Sequence, residues 1–197
     1  MSRRVYLCRH GETEFNRIGR RQGQVDSPLT ARGQVQAEAM GRRLVGLVGS
    51  DFHMYSSPLG RAHQSARFIA LALGGAEITL DPRLMEISMG AWDGKTDAEI
   101  RASHPEISAR HAGEALWFNS PDGETYDTFA ARLRAAMAEI WAAPQAISVV
   151  VAHGVVGRVI RAQHHGLTPA QSLSLTVPQD GFFELTPDGS SGFIPAS

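Results

Sequence analysis

The chain has little of what would assign it to a membrane, to a disulfide-rich secreted class or to nucleic acid. It contains one cysteine, Cys8, so no internal disulfide can form, which suits a reducing compartment. No apolar run approaches the ~18 residues that a membrane span requires, and the apolar stretch after the basic N-terminus is too short for a secretory signal. The net charge of -1 gives no bulk attraction for nucleic acid. We therefore expect a cytoplasmic protein without membrane or nucleic-acid partners.

Composition is otherwise that of an ordinary globular domain. Hydrophobic residues make up 43% and charged residues 20% of the chain, close to the averages for folded proteins. A chain of 197 residues can bury a substantial core as one unit. No repeat, low-complexity run or long linker divides it. We therefore predict a single domain over residues 1–197.

Short apolar segments alternate with segments of helical periodicity. The run 147–151 is β-branched and continuous, which is typical of a strand buried on both faces. The predicted strands are 5–8, 53–56, 78–80 and 147–151, with paired strands 173–177 and 182–185 in the tail; the predicted helices are 31–48, 59–73, 125–142 and 155–165. Thr30 is the predicted N-cap of the first helix. The alternation predicts an α/β fold, a three-layer α/β/α sandwich with a mostly parallel central sheet.

The segment 89–123 is less regular, and we predict that it forms a lid or insertion over the site. It holds several aromatic residues, among them Trp92, Trp117 and Phe118. Two roles stay open for these side chains: packing of a small subdomain, or direct contact with a substrate.

The most informative stretch is the strand 5–8 with the three residues after it, Arg9, His10 and Gly11. Open α/β sheets bind ligands beyond the carboxyl ends of their strands. An arginine there offers a fixed positive charge beside the titratable nitrogen of a histidine, although a solvated strand end would look the same in this stretch alone. Gly11 frees the backbone to turn, which lets Asn16 return its amide toward the same crevice.

Five ordered blocks of sequence resemble the histidine phosphatase superfamily, also called phosphoglycerate-mutase-like. The blocks are 9–13 with Asn16 and 29–33, 55–66 around Arg61, 84–96 with Glu86, 123–125, and 150–154 with His153. They span nearly the whole chain, which is identified as a member of the family on their number and order. The resemblance implies the phosphoglycerate-mutase-like fold.

The resemblance also implies a role for each matching residue. His10 is the nucleophile, which forms a covalent phosphohistidine that water then hydrolyses. Arg9, Arg61 and His153 bind the phosphate, and Glu86 protonates the leaving alkoxide. The further substrate- or phosphate-binding residues are Asn16, Gln22 and Gly23.

The residue types at these positions suit a phosphoryl dianion. Arg9 and Arg61 have forked donors that match phosphate oxygens and never lose their charge. Arg61 lies in the first turn of a predicted helix, where free N–H groups favour anions, and His153 directly follows the strand 147–151. The histidines have no metal-ligand spacing such as H-E-x-x-H. We therefore expect neither a metal nor another cofactor.

The residues after Glu86 bear on the branch of the family. Cofactor-dependent phosphoglycerate mutases usually have Arg-His-Tyr-Gly there, whereas this chain has Ile87-Ser88-Met89-Gly90. The stretch resembles the phosphatase branch and implies hydrolysis of a small phosphorylated metabolite. A phosphoglycerate mutase and a module that only binds a phosphorylated ligand stay open as alternatives, although a pure binder needs no acid. Family members are often dimers, so the resemblance also implies a homodimer.

Overall fold

A computed structural model describes residues 3–111 and 113–196 of the chain. Its strands are β1 (Arg4–Arg9), β2 (Phe52–Ser56), β3 (Ile78–Leu80), β4 (Ile147–Ala152), β5 (Gly181–Leu185) and β6 (Ser191–Pro195). Its α-helices are α1 (Glu14–Arg17), α2 (Ala31–Val48), α3 (Gly60–Ala72), α4 (Asp97–Ser103), α5 (Pro105–Arg110), α6 (Tyr126–Ala142), α7 (Gly154–His164) and α8 (Pro169–Leu173). Short 3-10 helices lie at Pro82–Leu84, Gly90–Trp92 and Gly113–Asn119. Within these ranges no helix is both long and apolar enough to cross a membrane.

The described strands form one six-stranded sheet in the order β3-β2-β4-β1-β5-β6. β1, β2, β3 and β4 pair in parallel, whereas β5 is antiparallel to both β1 and β6. β1 and β4 pair along their full lengths, with Arg9 opposite Ala152 at their carboxyl ends. The residues that follow these two strands therefore emerge side by side at one edge of the sheet.

Successive side chains of β1 enter two separate cores. Val5 and Leu7 pack with α6 and α7 on one face, and Tyr6 and Cys8 pack with α2 and α3 on the other. All residues of β4 are buried, as expected for its continuous β-branched run. Helices thus cover both faces of a mostly parallel sheet, which confirms the predicted three-layer α/β/α fold.

The four long helices begin and end at or next to their predicted boundaries. Thr30 caps α2 because its hydroxyl accepts a hydrogen bond from the N–H of Gly33, at 3.0 Å. Thr125 caps α6 in the same way through the N–H of Thr128. Apolar spacing was therefore sufficient to locate these helices, and the predicted cap at Thr30 is confirmed.

The predicted strand 173–177 is wrong. Leu173 ends α8, and the residues after it have no regular secondary structure. Their carbonyl oxygens accept hydrogen bonds from arginine side chains: Leu175 from Arg158, Thr176 from Arg161 and Val177 from Arg9. These bonds satisfy the carbonyls without a neighbouring strand. β5 pairs instead with β6, whose glycine and proline give it a weak strand signal.

The segment 89–123, predicted to be a lid or insertion, consists of short helices anchored in the core; residue 112 lies outside the described residues. Trp92 and Ile100 are completely buried beside the residues of α6 and α7. The segment therefore shares the core of the sheet on this face.

The segment is also joined to the loop that follows α1. We call residues 20–24 and 93–97 the paired loops. Arg21 donates two 2.8 Å hydrogen bonds to Asp97, and the carbonyl of Arg21 accepts from the N–H of Gly94. The N–H of Gln24 donates to Asp93, and a β-bridge joins Arg20 to Thr96. The paired loops thus form one continuous wall.

Candidate active site

Two histidines meet at the carboxyl edge of the sheet. His10 follows β1 and His153 follows β4, and the N–H of His10 donates to the carbonyl of Ala152 at 3.0 Å. Their ring centroids are 5.3 Å apart. Both side chains are buried, with 2% and 1% of their surface exposed. The parallel pairing of β1 and β4 is therefore what brings the two predicted histidines together.

The hydrogen bond of His10 defines its tautomer. Its Nδ1 lies 2.7 Å from the carbonyl oxygen of Gly11, and because a carbonyl can only accept, Nδ1 carries the proton. Nε2 is left with a free lone pair. Burial, together with Arg61 and Arg9, holds the pKa of His10 well below its ordinary value. The ring is therefore neutral near pH 7, as a nitrogen nucleophile must be.

Close packing of two glycines fixes the turn after His10. A Cβ on Gly11 would lie 2.0 Å from the carbonyl oxygen of Gly33, and a Cβ on Gly33 would lie 2.0 Å from the carbonyl oxygen of Glu12. The loop therefore lies directly against the first turn of α2. The N–H of Gly11 also donates to Ser65 of α3, at 3.1 Å. These contacts fix the backbone that carries His10.

The guanidinium of Arg61 is held by main-chain carbonyls. Its Nη2 donates to Gly23 at 2.7 Å, and its Nη1 donates to Val25 at 3.0 Å and to Asp26 at 3.1 Å. Asp26 also accepts from the N–H groups of Gly60 and Arg61, and so caps α3. Burial lowers the pKa of Arg61. The positive charge is thus fixed in place before any anion binds.

Arg9 supplies the second fixed charge. It donates to the carbonyl of Val177, and burial lowers its pKa to about 10, so it stays charged at neutral pH. The Nε atoms of Arg9 and Arg61 are both buried, and neither has a hydrogen-bond partner among the described residues. Two buried donors beside His10 are therefore available to an anion.

The carboxyl group of Glu86 lies at the N-terminus of α7. It accepts hydrogen bonds from the N–H groups of Ile87 and Val155, each at 3.1 Å, and of Val156 at 3.3 Å. Because α7 begins directly after His153, one helix end positions both the carboxyl and the second histidine. Glu86 also lines the same cleft as His10.

Arg132 is a site-supporting residue that the sequence analysis missed. It donates to three main-chain carbonyls within the segment 83–86, those of Arg83, Met85 and Glu86. Glu124 pairs with it at 2.7 Å and accepts from the N–H of Ser88 at 2.9 Å. The block 123–125 was recognised, but nothing in the sequence connects Glu124 with the segment 83–88.

His153 lies behind His10 rather than on the main cleft. Its Nε2 is 2.8 Å from the hydroxyl of Ser57, and its Nδ1 is buried without a partner among the described residues. Burial and Arg61 hold the pKa of His153 well below its ordinary value. Ser57 belongs to a block that the sequence analysis quoted, but it was given no role there.

A cleft of about 470 Å³ joins most of these groups. Of the predicted site residues it is lined by Arg9, His10, Asn16, Gln22, Gly23, Arg61 and Glu86. Asn16 accepts through Oδ1 from the N–H of Thr13 at 3.2 Å, which leaves its amide nitrogen as the group to donate. Gln22 is buried, and its side-chain oxygen has no partner in the described ranges. No group of three or more metal-ligating side chains occurs among the described residues.

Comparison with known proteins identifies the family. The family model of the histidine phosphatase superfamily (branch 1) matches residues 5–194. A curated relative from Enterobacter sp. (strain 638), named as a probable phosphoglycerate mutase GpmB, is 39% identical over 159 residues, which cover 77% of this chain and 69% of the relative. The chain belongs to the histidine phosphatase superfamily, as its sequence blocks predicted.

Solved structures give the same assignment of fold. A mycobacterial glucosyl-3-phosphoglycerate phosphatase in complex with VO3 is 29% identical with a TM-score of 0.78, covering 98% of this chain and 97% of that chain. The alpha-ribazole phosphatase of Shigella flexneri is 23% identical with a TM-score of 0.83, covering 98% and 95%, and is similar in fold alone. Phosphatases and a mutase-like protein are thus both among the proteins that this chain resembles.

Proposed function

We propose that this protein is a metal-independent phosphomonoesterase that hydrolyses a small phosphorylated metabolite through a phosphohistidine on His10. The observation that carries the proposal is the hydrogen bond from Nδ1 of His10 to Gly11, which leaves Nε2 unprotonated beside the cleft. A neutral imidazole between Arg9 and Arg61 joins a nucleophile to the charges that a phosphoryl dianion requires.

In the first step Nε2 of His10 forms a bond to phosphorus as the bond from phosphorus to the ester oxygen breaks. Glu86, entering as the protonated acid, gives its proton to the departing alkoxide. The ring becomes positively charged, and the carbonyl of Gly11 stabilises that charge through Nδ1–H. Arg9 and Arg61 meet the phosphoryl oxygens with donors that need no rearrangement.

In the second step water attacks the phosphohistidine. Glu86, now a carboxylate, accepts the proton from the water as the nitrogen–phosphorus bond breaks. Inorganic phosphate leaves, and His10 returns to the neutral state. Asn16 contributes a further donor to the phosphoryl group in this proposal, with Gln22 and Gly23 lining the approach. His153, whose ring lies against that of His10 and contacts Ser57, supports the nucleophile from outside the main cleft.

Trapping the intermediate tests the proposal. Acid-labile, base-stable phosphate should appear on the protein within one turnover, and His10→Ala should abolish both this label and the release of phosphate. His53→Ala is the matched control, because His53 lies on β2 and bonds to Thr79 outside the cleft. Phosphate on another residue, or full activity in His10→Ala, would contradict the mechanism.

A phosphoglycerate mutase is the second candidate, because the curated relatives that carry that name are 37–40% identical to this chain. A mutase returns the phosphoryl group to the organic product, whereas a phosphatase passes it to water. We expect 3-phosphoglycerate, incubated with a trace of 2,3-bisphosphoglycerate, to yield inorganic phosphate faster than 2-phosphoglycerate. The opposite order of rates would favour the mutase, and binding without turnover of any phosphomonoester would favour a non-catalytic module.

A further inference from the structure

Beyond His10, the wall of the cleft contains an aromatic ring in contact with two arginines. Trp117, from the 3-10 helix Gly113–Asn119, is 6% exposed and lines the cleft. The guanidinium carbons of Arg21 and Arg158 lie 4.6 Å and 5.9 Å from the centroids of its rings. The indole nitrogen is buried, and no hydrogen-bond partner for it lies in the described ranges. The wall therefore offers cations and an N–H donor together.

Arg158 lies on the side of the cleft where Glu86 is held. It is one helical turn beyond Val155, whose N–H binds Glu86, so both positions share a face of α7. Burial lowers the pKa of the Arg158 guanidinium, Glu86 raises it and Arg21 lowers it further. The pKa of His10 is lowered by burial and by the charges of Arg61 and Arg9. Arg158 also lowers the pKa of Arg9, so its charge adds to those of Arg9 and Arg61 in one site next to Glu86.

The positions of these groups divide a bound substrate in two. In the proposed function Glu86 protonates the departing oxygen, so the alcohol half of the substrate lies on the side of Glu86 and Arg158. Of the described residues that line the cleft, five are arginines and two, Glu86 and Asp97, carry carboxylates. Arg20 and Arg21 are paired with Glu99 and Asp97, so the charge assigned to the alcohol half is that of Arg158, which interacts with Glu86.

We propose that the alcohol half of the substrate carries a second anionic group, a carboxylate or a second phosphate, which Arg158 binds against the ring of Trp117. The inference rests on the proposed function and specifies its substrate class. A guanidinium can donate two parallel hydrogen bonds to either anion. Arg158 is already oriented, because its Nε donates to the carbonyl of Leu175 at 2.7 Å. The bidentate pair with Asp97 fixes Arg21, whose guanidinium also lies against the ring.

Matched pairs of substrates test the inference in the wild-type protein. 3-Phosphoglycerate differs from glycerol 3-phosphate by a carboxylate in place of a hydroxymethyl group, and glucose 1,6-bisphosphate differs from glucose 6-phosphate by a second phosphate. We expect kcat/KM for phosphate release to favour the anionic member of at least one pair by about 10- to 100-fold, as for a charge-assisted hydrogen bond. The pair with the larger preference identifies carboxylate or phosphate. Ratios near one in both pairs would overturn the inference.

Variants of Arg158 test the residue. Arg158→Gln should bring the preferred ratio close to one, and Arg158→Lys should keep part of it, because lysine retains the charge but not the fork. Arg161→Gln is the matched control: Arg161 is also in α7 and also binds a tail carbonyl, yet it does not line the main cleft. A ratio unchanged in Arg158→Gln would overturn the assignment.

The ratio of kcat/KM values within a substrate pair cancels any loss that is common to both substrates, including partial misfolding. If Arg158→Gln does not fold, Arg158→Lys and the wild-type protein still decide, through inhibition by glycerate compared with glycerol; equal inhibition by the two would overturn the inference. The proposed function fails separately. It fails if p-nitrophenyl phosphate leaves no phosphate on His10, whereas labelled His10 with flat substrate ratios refutes only the second anion site.

Discussion

Replacing Glu86 with glutamine removes the proton that the leaving group needs and changes little else in shape. General acid catalysis is worth about 10²–10⁴-fold in rate. The phosphorylation of His10 by glycerol 3-phosphate should therefore slow by roughly that factor, because an alkoxide is a poor leaving group. p-Nitrophenolate departs without a proton, so Glu86→Gln should slow phosphorylation by p-nitrophenyl phosphate far less.

The structure gives the size of the competing effect. The carboxyl oxygens of Glu86 accept from three backbone N–H groups, two of them at the start of α7. An amide keeps one acceptor oxygen, and each buried N–H left without an acceptor costs about 1–3 kcal/mol. That loss affects both substrates alike. The difference between the two substrates therefore isolates the proton transfer.

The assay is a rapid-quench single turnover that counts phosphate on His10, because hydrolysis of the intermediate can limit kcat. Glu139→Gln is the control, since Glu139 is an exposed carboxylate paired with Arg83 away from the cleft. It should leave both rates within about twofold. Equal losses on both substrates in Glu86→Gln would refute proton donation and leave Glu86 as a positioning residue for the start of α7.

Three further predictions concern stability and charge. Burial depresses the pKa values of His10 and His153, so the unfolded state binds more protons below pH ~6.5. In urea titrations the free energy of unfolding should therefore fall as the pH drops below ~6.5, by up to about 1.4 kcal/mol per pH unit for each histidine. His10→Asn should show a smaller slope; an unchanged slope would contradict this prediction. Gly11→Ala, whose Cβ would overlap Gly33, should destabilise by about 1–3 kcal/mol, whereas Gly46→Ala, in open space on α2, should be neutral or stabilising. Phosphate release should survive excess EDTA, because the arginines beside His10 neutralise the dianion; loss of activity restored by one divalent ion would refute this.

The sequence predicted the structure best where the environment of a residue depends on residues close to it in the chain. The buried run 147–151 predicts a central strand, and two parallel strands that end at His10 and His153 must deliver them to one sheet edge. Helical spacing located the long helices for the same local reason, and Thr30 marked the start of one of them. Predictions of this kind depend only on periodicity and on residues close in the chain.

Contacts between distant segments were the part that the sequence could not supply. Arg132 reaches Glu86 across 46 positions of sequence, and Ser57 reaches His153 across 96. The prediction of a strand at 173–177 failed for a related reason. Its apolar alternation over 173–177 suggests a strand, but arginines from α7 and β1 take the carbonyls that a strand partner would use.

The contacts between the paired loops have a consequence for how substrate preference can change. Asp97 holds Arg21, and Thr96 bridges to Arg20, so each loop supplies the partners of the other. Transplanting residues 89–123 from a relative would replace Thr96, Asp97 and Trp117 together, and would leave Arg20 and Arg21 opposite foreign side chains. New specificity should therefore transfer only when both loops, two separate stretches of the chain, are exchanged together.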